Sequence, residues 1–130
     1  MMNKKFHKNC FACGKHSKNN LRLEFKLLNN KTLYGQFKIH KNYQGYDNIL
    51  HGGIISTILD SSMINLFYMK DGLELKTAKL NICFRKPIPT EKTITVSAIA
   101  DNNTLHFYRA KSQIKIDNTV FADAEGYFKK

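Results

Sequence analysis

Apolar and polar residues alternate with a period of two through much of the chain, and this alternation predicts β-strands. The alternating segments are residues 21–27, 33–39, 80–84, 94–100, 110–116 and 122–128. Asn29-Asn30 separates the first two segments and Asp117-Asn118 separates the last two, and such residues favour tight turns. The pattern therefore predicts one hairpin near the start of the chain and an antiparallel meander of four strands in its second half.

The segment from Gly52 to Met69 has no alternation and predicts a helix. Its apolar residues recur at i,i+4, as in Met63 and Phe67, and apolar or small residues stand on nearly every side. That distribution is typical of a buried helix, and Lys70-Asp71-Gly72 supplies a basic residue and a glycine that end it. We therefore expect an α+β architecture in which an antiparallel sheet of about six strands wraps around one long central helix.

Asp60 is the one charged side chain between Gly52 and Met69. An ionised carboxylate inside a buried helix costs free energy unless it shifts its pKa or finds hydrogen bonds. Such a group is a candidate for catalysis. The alternative is a carboxylate that hydrogen-bonds neighbouring Ser or Thr side chains across a dimer interface.

Composition narrows the classes of partner. The 130 residues fit a single domain, residues 1–130, with residues 1–18 as a candidate N-terminal extension. The formal charge of +11, from 21 Lys and Arg against 10 Asp and Glu, makes an anionic partner plausible, although scattered lysines also fit a Lys-rich composition. The basic residues are not interleaved with aromatics as in proteins that stack bases, so we expect no nucleic acid partner.

The cellular compartment follows from what the sequence lacks. No apolar signal stretch follows the first Met, and the three cysteines fit a reducing cytoplasm better than a disulfide framework. Polar residues, among them Asp60 and Asn65, interrupt the central apolar run, so we expect no membrane span. We expect a soluble cytoplasmic protein with no cofactor.

Several motifs together resemble those of a known superfamily. His51-Gly52-Gly53 opens the predicted helix and Asp60 follows within it. Further matching segments are Cys10-Phe11-Ala12-Cys13-Gly14, residues 44–50, and Phe84-Arg85-Lys86-Pro87. The chain resembles the hotdog-fold thioesterases, most closely the phenylacetic-acid-degradation type. The resemblance implies an acyl thioester substrate, usually of coenzyme A, and an active site at the interface of a homodimer, alone or within a dimer of dimers.

The same resemblance implies roles for individual residues. The Gly52 backbone N–H polarises the thioester carbonyl, and Asp60 acts as the general base or as the nucleophile. Thr77 matches a Ser or Thr that the partner subunit's third strand places nearby, although a strand-favouring residue explains it equally. Ser61 stands where many relatives carry a second acid, Glu, which is a departure from their pattern.

The remaining candidate residues would bind substrate. Asn48 and Gly53 flank His51 in the loop and helix start, and His51 would either position substrate or only anchor the loop. Arg85 and Lys86 would meet the phosphates of coenzyme A, although a solvated strand edge explains the same charges.

A cluster of metal-binding residue types lies near the N-terminus. His7, Cys10, Cys13 and His16 follow one another with two residues between each pair. Zinc sites with four ligands normally join two separated knuckles, so ligands this close should be cramped, and we assign no metal. The alternative is that the cysteines pack against Phe11 as small apolar residues.

Other functions remain open from sequence. A non-catalytic acyl-CoA or ligand-binding protein with the same fold would bind tightly without releasing product. A hotdog dehydratase would pair His40 or His51 with Asp60, but the surrounding loop lacks the dehydratase pattern. A nucleic acid binder would show binding that depends steeply on salt.

Overall fold

Six strands and one long helix are present in the computed structural model, which describes residues 7–15 and 21–130. The strands are β1 (Lys26–Leu28), β2 (Thr32–Lys38), β3 (Lys76–Phe84), β4 (Thr93–Ala100), β5 (Tyr108–Ile116) and β6 (Thr119–Lys129). Helix α1 (Gly52–Asp71) lies between β2 and β3 in the chain, after a short 3₁₀ turn at Lys41–Tyr43. The predicted architecture of a sheet with one central helix is confirmed.

The strands form one antiparallel sheet in the order β1-β2-β4-β5-β6-β3. The prediction of a four-strand meander after the helix was wrong. Of the four strands that follow the helix, β4, β5 and β6 are sequential neighbours, but β3 pairs with β6 at an edge of the sheet. The connection from β3 to β4 is too long for a tight hairpin and contains Pro87 and Pro89, which have no N–H for a strand ladder. It instead pairs with the loop before α1, where Leu50 N donates to Ile88 O at 2.8 Å.

Strand β1 is shorter than the alternation predicts. Residues Leu21 and Leu23 do not pair with β2; their N–H groups donate to the carbonyls of Phe11 and Ala12, each at 2.9 Å. Leu23 is nevertheless fully buried. The alternation therefore predicts the burial of Leu23 correctly, but residues 21–23 form their hydrogen bonds with residues 11–12 and not with β2.

Both ends of α1 carry capping residues. At its start, His51 has an extended backbone and its Nδ1 accepts a hydrogen bond from Gly53 N at 2.8 Å. At its end, Gly72 adopts a left-handed conformation with φ 68°, which glycine reaches without a Cβ penalty. The Gly72 N–H donates to the carbonyls of Phe67 and Tyr68 and so satisfies the last turn.

The core lies between α1 and the inner face of the sheet. Residues of α1 and of the strands that are at most 1% exposed include Ile58, Leu59, Met63, Leu66, Ile94, Ile114 and Phe128. Each such side chain contributes about 1.5–3 kcal/mol when it leaves water. A buried polar contact also joins α1 to the sheet: Ser62 Oγ lies 2.6 Å from Ser112 Oγ, and Ser112 Oγ also donates to the Ser97 carbonyl at 3.1 Å.

Candidate active site

The N-terminus of α1 presents one backbone donor that is not used within the chain. His51 Nδ1 accepts from Gly53 N, and His51 O accepts from Ile54 N at 2.9 Å and from Ile55 N at 3.0 Å. The exposed Gly52 N–H has no hydrogen-bond partner among the described residues. A helix N-terminus normally offers several free N–H groups, but here the amide of Gly52 is the one available to a ligand. It lies at the positive end of the helix dipole.

The geometry distinguishes the roles of His51 and Gly53 from that of Gly52. His51 anchors the helix start through its cap, which is one of the two alternatives that the sequence left open. Since Nδ1 accepts a hydrogen bond, the neutral ring carries its proton on Nε2. The Gly53 N–H is occupied by that same cap, so it has no donor to offer a substrate.

Asp60 lies in the middle of α1, half-buried, and is hydrogen-bonded to strand β3. Thr77 Oγ1 donates to Asp60 Oδ1 at 2.6 Å. Both residues belong to the same chain, so this hydrogen bond forms within one subunit. The expectation that the partner subunit's third strand places its Ser or Thr nearby stays a prediction. The alternative that Thr77 is a mere strand former is insufficient, because its hydroxyl holds the carboxylate.

A β-bulge explains why Thr77 faces the helix. The pairing of β3 with β6 shifts between Thr77 and Lys79, so that Ala78 is an extra residue in β3. With regular alternation Thr77 would share the outer face with Lys79. The extra residue reverses the alternation and puts Thr77 on the helix side, which is a known use of bulges at sheet edges.

Burial shifts the ionisation of Asp60. Removal from water raises the pKa of Asp60 above its usual 3.8, and the hydrogen bond from Thr77 and the charge of the nearby His7 oppose that rise. The raised pKa makes the Asp60 carboxylate a stronger base than an exposed Asp. Such a group suits general base catalysis.

The two centres are too far apart to act on one carbonyl group within one chain. Asp60 follows Gly52 by eight residues along the same helix, which at the usual helical rise is about 12 Å. A reacting carbonyl must lie about 3 Å from both the oxyanion donor and the attacking group. The Gly52 amide and the Asp60 carboxylate of one chain therefore cannot both contact the same carbonyl group.

An exposed aromatic ring lies beside Gly52. Phe84, at the end of β3, is 55% exposed, and a Cβ placed on Gly52 would lie 3.7 Å from its ring. Sequence reasoning did not single out Phe84. The neighbouring basic residues carry other contacts: Arg85 Nε is 2.5 Å from Asp123 Oδ2, and Lys86 Nζ is 5.8 Å from the centre of the Phe121 ring.

The loop before α1 forms one wall of a small cleft. Asn48 is exposed with a left-handed φ of 62°; its N–H donates to Gln44 Oε1 at 2.9 Å, and its carbonyl accepts from Thr90 N at 3.0 Å. A cleft of about 330 Å³ beside this loop is lined by Asn42, Tyr43, Gln44, His51, Gly53 and Ile54. A depression of about 380 Å³ on β4, β5 and β6 includes outward-facing residues such as Lys111 and Glu125. Because those side chains point away from α1, that depression is not part of the site.

The N-terminal segment lies close to Asp60. His7 and Asp60 are near enough for their charges to interact. The structure also brings His7, Cys10 and Cys13 together, while His16 lies outside the described residues. Phe11 is 48% exposed and Cys13 is 2% exposed, so the buried cysteine joins the main core and not a cluster around Phe11.

Comparisons with known proteins identify the fold. The sequence matches no family model and no curated protein. Its structure is similar to that of a thioesterase superfamily protein, with a TM-score of 0.82 and 20% identity over 91% of this chain and 61% of the other. The chain thus spans less than two thirds of the length of that protein.

Two further solved structures are similar. The PaaI protein from the phenylacetic acid degradation operon of E. coli gives a TM-score of 0.75 and 14% identity, over 85% of this chain and 84% of the other. The BH2602 protein from Bacillus halodurans, solved with CoA, gives a TM-score of 0.68 and 22% identity, over 81% of this chain and 71% of the other. The chain has the hotdog fold that these solved structures share. None of the helices in the described part of the chain has the length and hydropathy of a membrane span.

Proposed function

We propose that the chain is an acyl-CoA thioesterase, which hydrolyses an acyl-CoA to a free acid and CoA. The observation that carries the proposal is that α1 presents an unpaired Gly52 amide at its N-terminus and a half-buried Asp60 carboxylate at its middle. The fold supports it, because a similar structure is named as a thioesterase superfamily protein and another, the BH2602 protein, was solved with CoA.

The Gly52 amide stabilises the charge that develops on the thioester oxygen. Attack on the carbonyl carbon converts C=O into an oxyanion, and a fixed N–H at a helix N-terminus stabilises the oxyanion more than the neutral carbonyl. Collapse of the tetrahedral intermediate breaks the C–S bond and releases CoA as the thiolate, which then takes up a proton. The missing side chain of Gly52 lets the substrate approach this amide closely.

Asp60 supplies the base or the nucleophile of the reaction. As a base, its carboxylate takes a proton from the attacking water; as a nucleophile, it forms an acyl intermediate that water hydrolyses. Both roles require the ionised form. Thr77 positions that form and stabilises it through the 2.6 Å hydrogen bond.

The proposed active unit is a homodimer, alone or within a dimer of dimers. Because about 12 Å separates Gly52 from Asp60 along α1, the Gly52 amide of one subunit would act with Asp60 of the partner subunit. The exposed edge strand β3 is suited to such an assembly: one side pairs with β6, and the other side is unpaired among the described residues. Phe84 at its end would become covered.

The residues around the helix start would hold the coenzyme. His51 positions the donor through its cap, Gly53 gives the cap its N–H, and Asn48 is exposed in the loop before α1. Arg85 and Lys86 would meet CoA phosphates at the rim. Lys86 is the freer of the two, because Arg85 is already paired with Asp123. The net charge of +11 favours an anionic substrate.

We place this reaction in the cytoplasm. Cys10, Cys13 and Cys83 form no disulfide among the described residues, which is compatible with a reducing compartment. Acyl-CoA is the substrate class proposed, and neither nucleic acid nor membrane is a proposed partner.

A panel of acyl-CoAs with colorimetric detection of the released thiol tests the proposal. The wild type should turn over at least one acyl-CoA, and Asp60→Asn should lower kcat by about 10²–10⁴-fold. Asp71→Asn, the same substitution at the exposed end of α1, is the matched control and should keep wild-type activity. No turnover of any acyl-CoA by the wild type, or undiminished turnover in Asp60→Asn, would contradict the proposal of a thioesterase that uses Asp60. Tight binding of acyl-CoA without thiol release would instead identify a binding protein.

A further inference from the structure

The N-terminal segment forms two consecutive turns that gather three metal-binding side chains. Cys10 N donates to His7 O at 2.8 Å, and Gly14 N donates to Cys10 O at 2.9 Å. The first turn brings His7 beside Cys10, and the second brings Cys13 back toward Cys10. A Cβ at Gly14 would overlap backbone atoms of Lys8 and Cys10, so the second turn requires glycine at this position.

The second turn has the hydrogen bond of a metal-binding knuckle. Ala12 N, two residues after Cys10, points at the sulfur of Cys10 at 3.4 Å. A backbone N–H aimed at a cysteine sulfur stabilises the thiolate, which is the form that binds a metal. Asn65 and Ser61 on α1 also lie close enough to Cys13 to influence its sulfur. Such outer contacts orient the ligands of metal sites.

The distances between the three ligand atoms fit a tetrahedral ion. The ring nitrogen of His7 and the two sulfurs lie within 4.8 Å of one another, and Cys13 Sγ is 3.6 Å from His7 Nδ1. Zn–S bonds of about 2.3 Å and Zn–N bonds of about 2.0–2.1 Å at tetrahedral angles place sulfur about 3.6 Å from nitrogen and about 3.8 Å from a second sulfur. Shifts of about 1 Å or less would therefore complete the geometry.

We propose that His7, Cys10 and Cys13 bind one Zn²⁺ ion. Two thiolates and an imidazole select a soft or borderline ion such as zinc over magnesium or calcium. The three protein ligands leave a fourth position for water; His16 lies outside the described residues and is not part of the proposal.

The metal would fasten the N-terminal segment to the middle of α1. Cys13 is 2% exposed and lies against the helix residues Ser61 and Asn65, while His7 is exposed and reachable by solvent. The same segment provides the carbonyls that Leu21 and Leu23 use as partners. Loss of the ion would therefore loosen residues 7–15 and the pairing of residues 21–23, so the melting temperature should fall in a chelator.

Metal content of the full chain, purified in reducing buffer without added zinc, tests the proposal. We expect about one zinc per chain in the wild type and an intense near-ultraviolet thiolate-to-metal band when Co²⁺ is titrated into the apoprotein. Cys10→Ser and His7→Ala should each weaken Co²⁺ binding by at least about tenfold. Cys83→Ser, on the exposed face of β3, is the matched control and should bind like the wild type.

Three results would overturn the proposal. They are zinc well below one per chain together with no Co²⁺ thiolate band, unchanged Co²⁺ affinity in both ligand variants, and a Cys10–Cys13 disulfide that persists in reducing buffer. The exposed position of His7 guards against misfolding as an explanation, because replacement of an exposed side chain leaves the core intact. Circular dichroism of each variant checks this.

Discussion

Replacement of Thr77 by Val removes the hydroxyl that holds Asp60 while it keeps the shape of the side chain. Thr77 Oγ1 donates to Asp60 Oδ1 at 2.6 Å, and this bond lowers a pKa that burial has raised. Without the donor, the carboxylate loses stabilisation of its charged form and its pKa rises further. The active form of Asp60 is the charged one, so activity should require a higher pH.

The expected shift in the pKa of Asp60 follows from the free energy of one hydrogen bond. A hydrogen bond to a charged group contributes about 1.5–3 kcal/mol, and each pKa unit corresponds to about 1.36 kcal/mol, which gives an upper range of about one to two units. Thr77 is exposed, so water replaces part of the lost bond. We expect the acidic limb of the profile of kcat/KM against pH to move up by roughly half a unit to one unit.

Thiol release from an acyl-CoA, followed across a pH series, measures this limb. Thr119→Val, the same substitution at an exposed position of β6, is the matched control and should leave the limb in place. If the midpoint of the acidic limb in Thr77→Val is unchanged or lies at lower pH, Asp60 is not the group that titrates there and Thr77 does not stabilise its charge.

Two further predictions concern stability. Because burial raises the pKa of Asp60, the folded chain holds the proton more tightly than the unfolded chain, and stability falls as pH rises from 3.8 through the folded pKa. At neutral pH, the free energy of unfolding of Asp60→Asn in urea should therefore equal or exceed that of the wild type, and the difference should disappear below pH 3.8. A clear loss of stability in Asp60→Asn at neutral pH would mean that burial of the Asp60 charge does not destabilise the fold. Ser62→Ala should cost about 1 kcal/mol, because Ser112 keeps its bond to Ser97; a cost above about 3 kcal/mol would mean that Ser112 is left unsatisfied.

The sequence predicts the helix well because its signals are local. The change from period two to i,i+4 spacing and the glycine at Gly72 depend on nearby residues alone, and the helix was found at Gly52–Asp71. The positions of the strands along the chain are also predicted from local alternation. The order of the strands in the sheet is not, because alternation shows which face of a strand is buried but not which strand lies next to it. The edge pairing of β3 with β6 was therefore missed.

The sequence indicates candidate residues for the site but not how they are arranged in space. Asp60 is a lone charge in an apolar helix, which any reading of the pattern finds. The contact from Thr77 depends on one extra residue, Ala78, in the pairing with β6, and a bulge of this kind leaves little trace in the alternation. That Gly52 and not Gly53 keeps a free amide depends on the His51 cap, since either glycine could be the donor by sequence alone.

The convergence of His7, Cys10 and Cys13 was also missed, for a related reason. Ligands two residues apart look cramped when the backbone is imagined as extended. Two consecutive turns bring their side chains to a common point. Gly14, directly after Cys13, is the residue in the sequence that permits the second turn.

The central claim, that the Gly52 amide polarises the substrate carbonyl, can be tested at a single position. Gly52 is the first residue of α1, where Pro is tolerated in helices, and His51 before it has the extended backbone (φ −61°, ψ 135°) that Pro requires. Gly52→Pro thus removes the N–H without loss of the helix. Gly52→Ala keeps the N–H, and its Cβ meets Phe84 only at van der Waals distance.

The decisive measurement is kcat for acyl-CoA hydrolysis by Gly52→Pro and Gly52→Ala, both checked for an unchanged melting temperature. We expect Gly52→Pro to lose about 10²–10³-fold in kcat, the usual cost of one oxyanion donor, while Gly52→Ala keeps most of its activity. Equal activity in the two variants would mean that the amide of Gly52 has no part in the reaction.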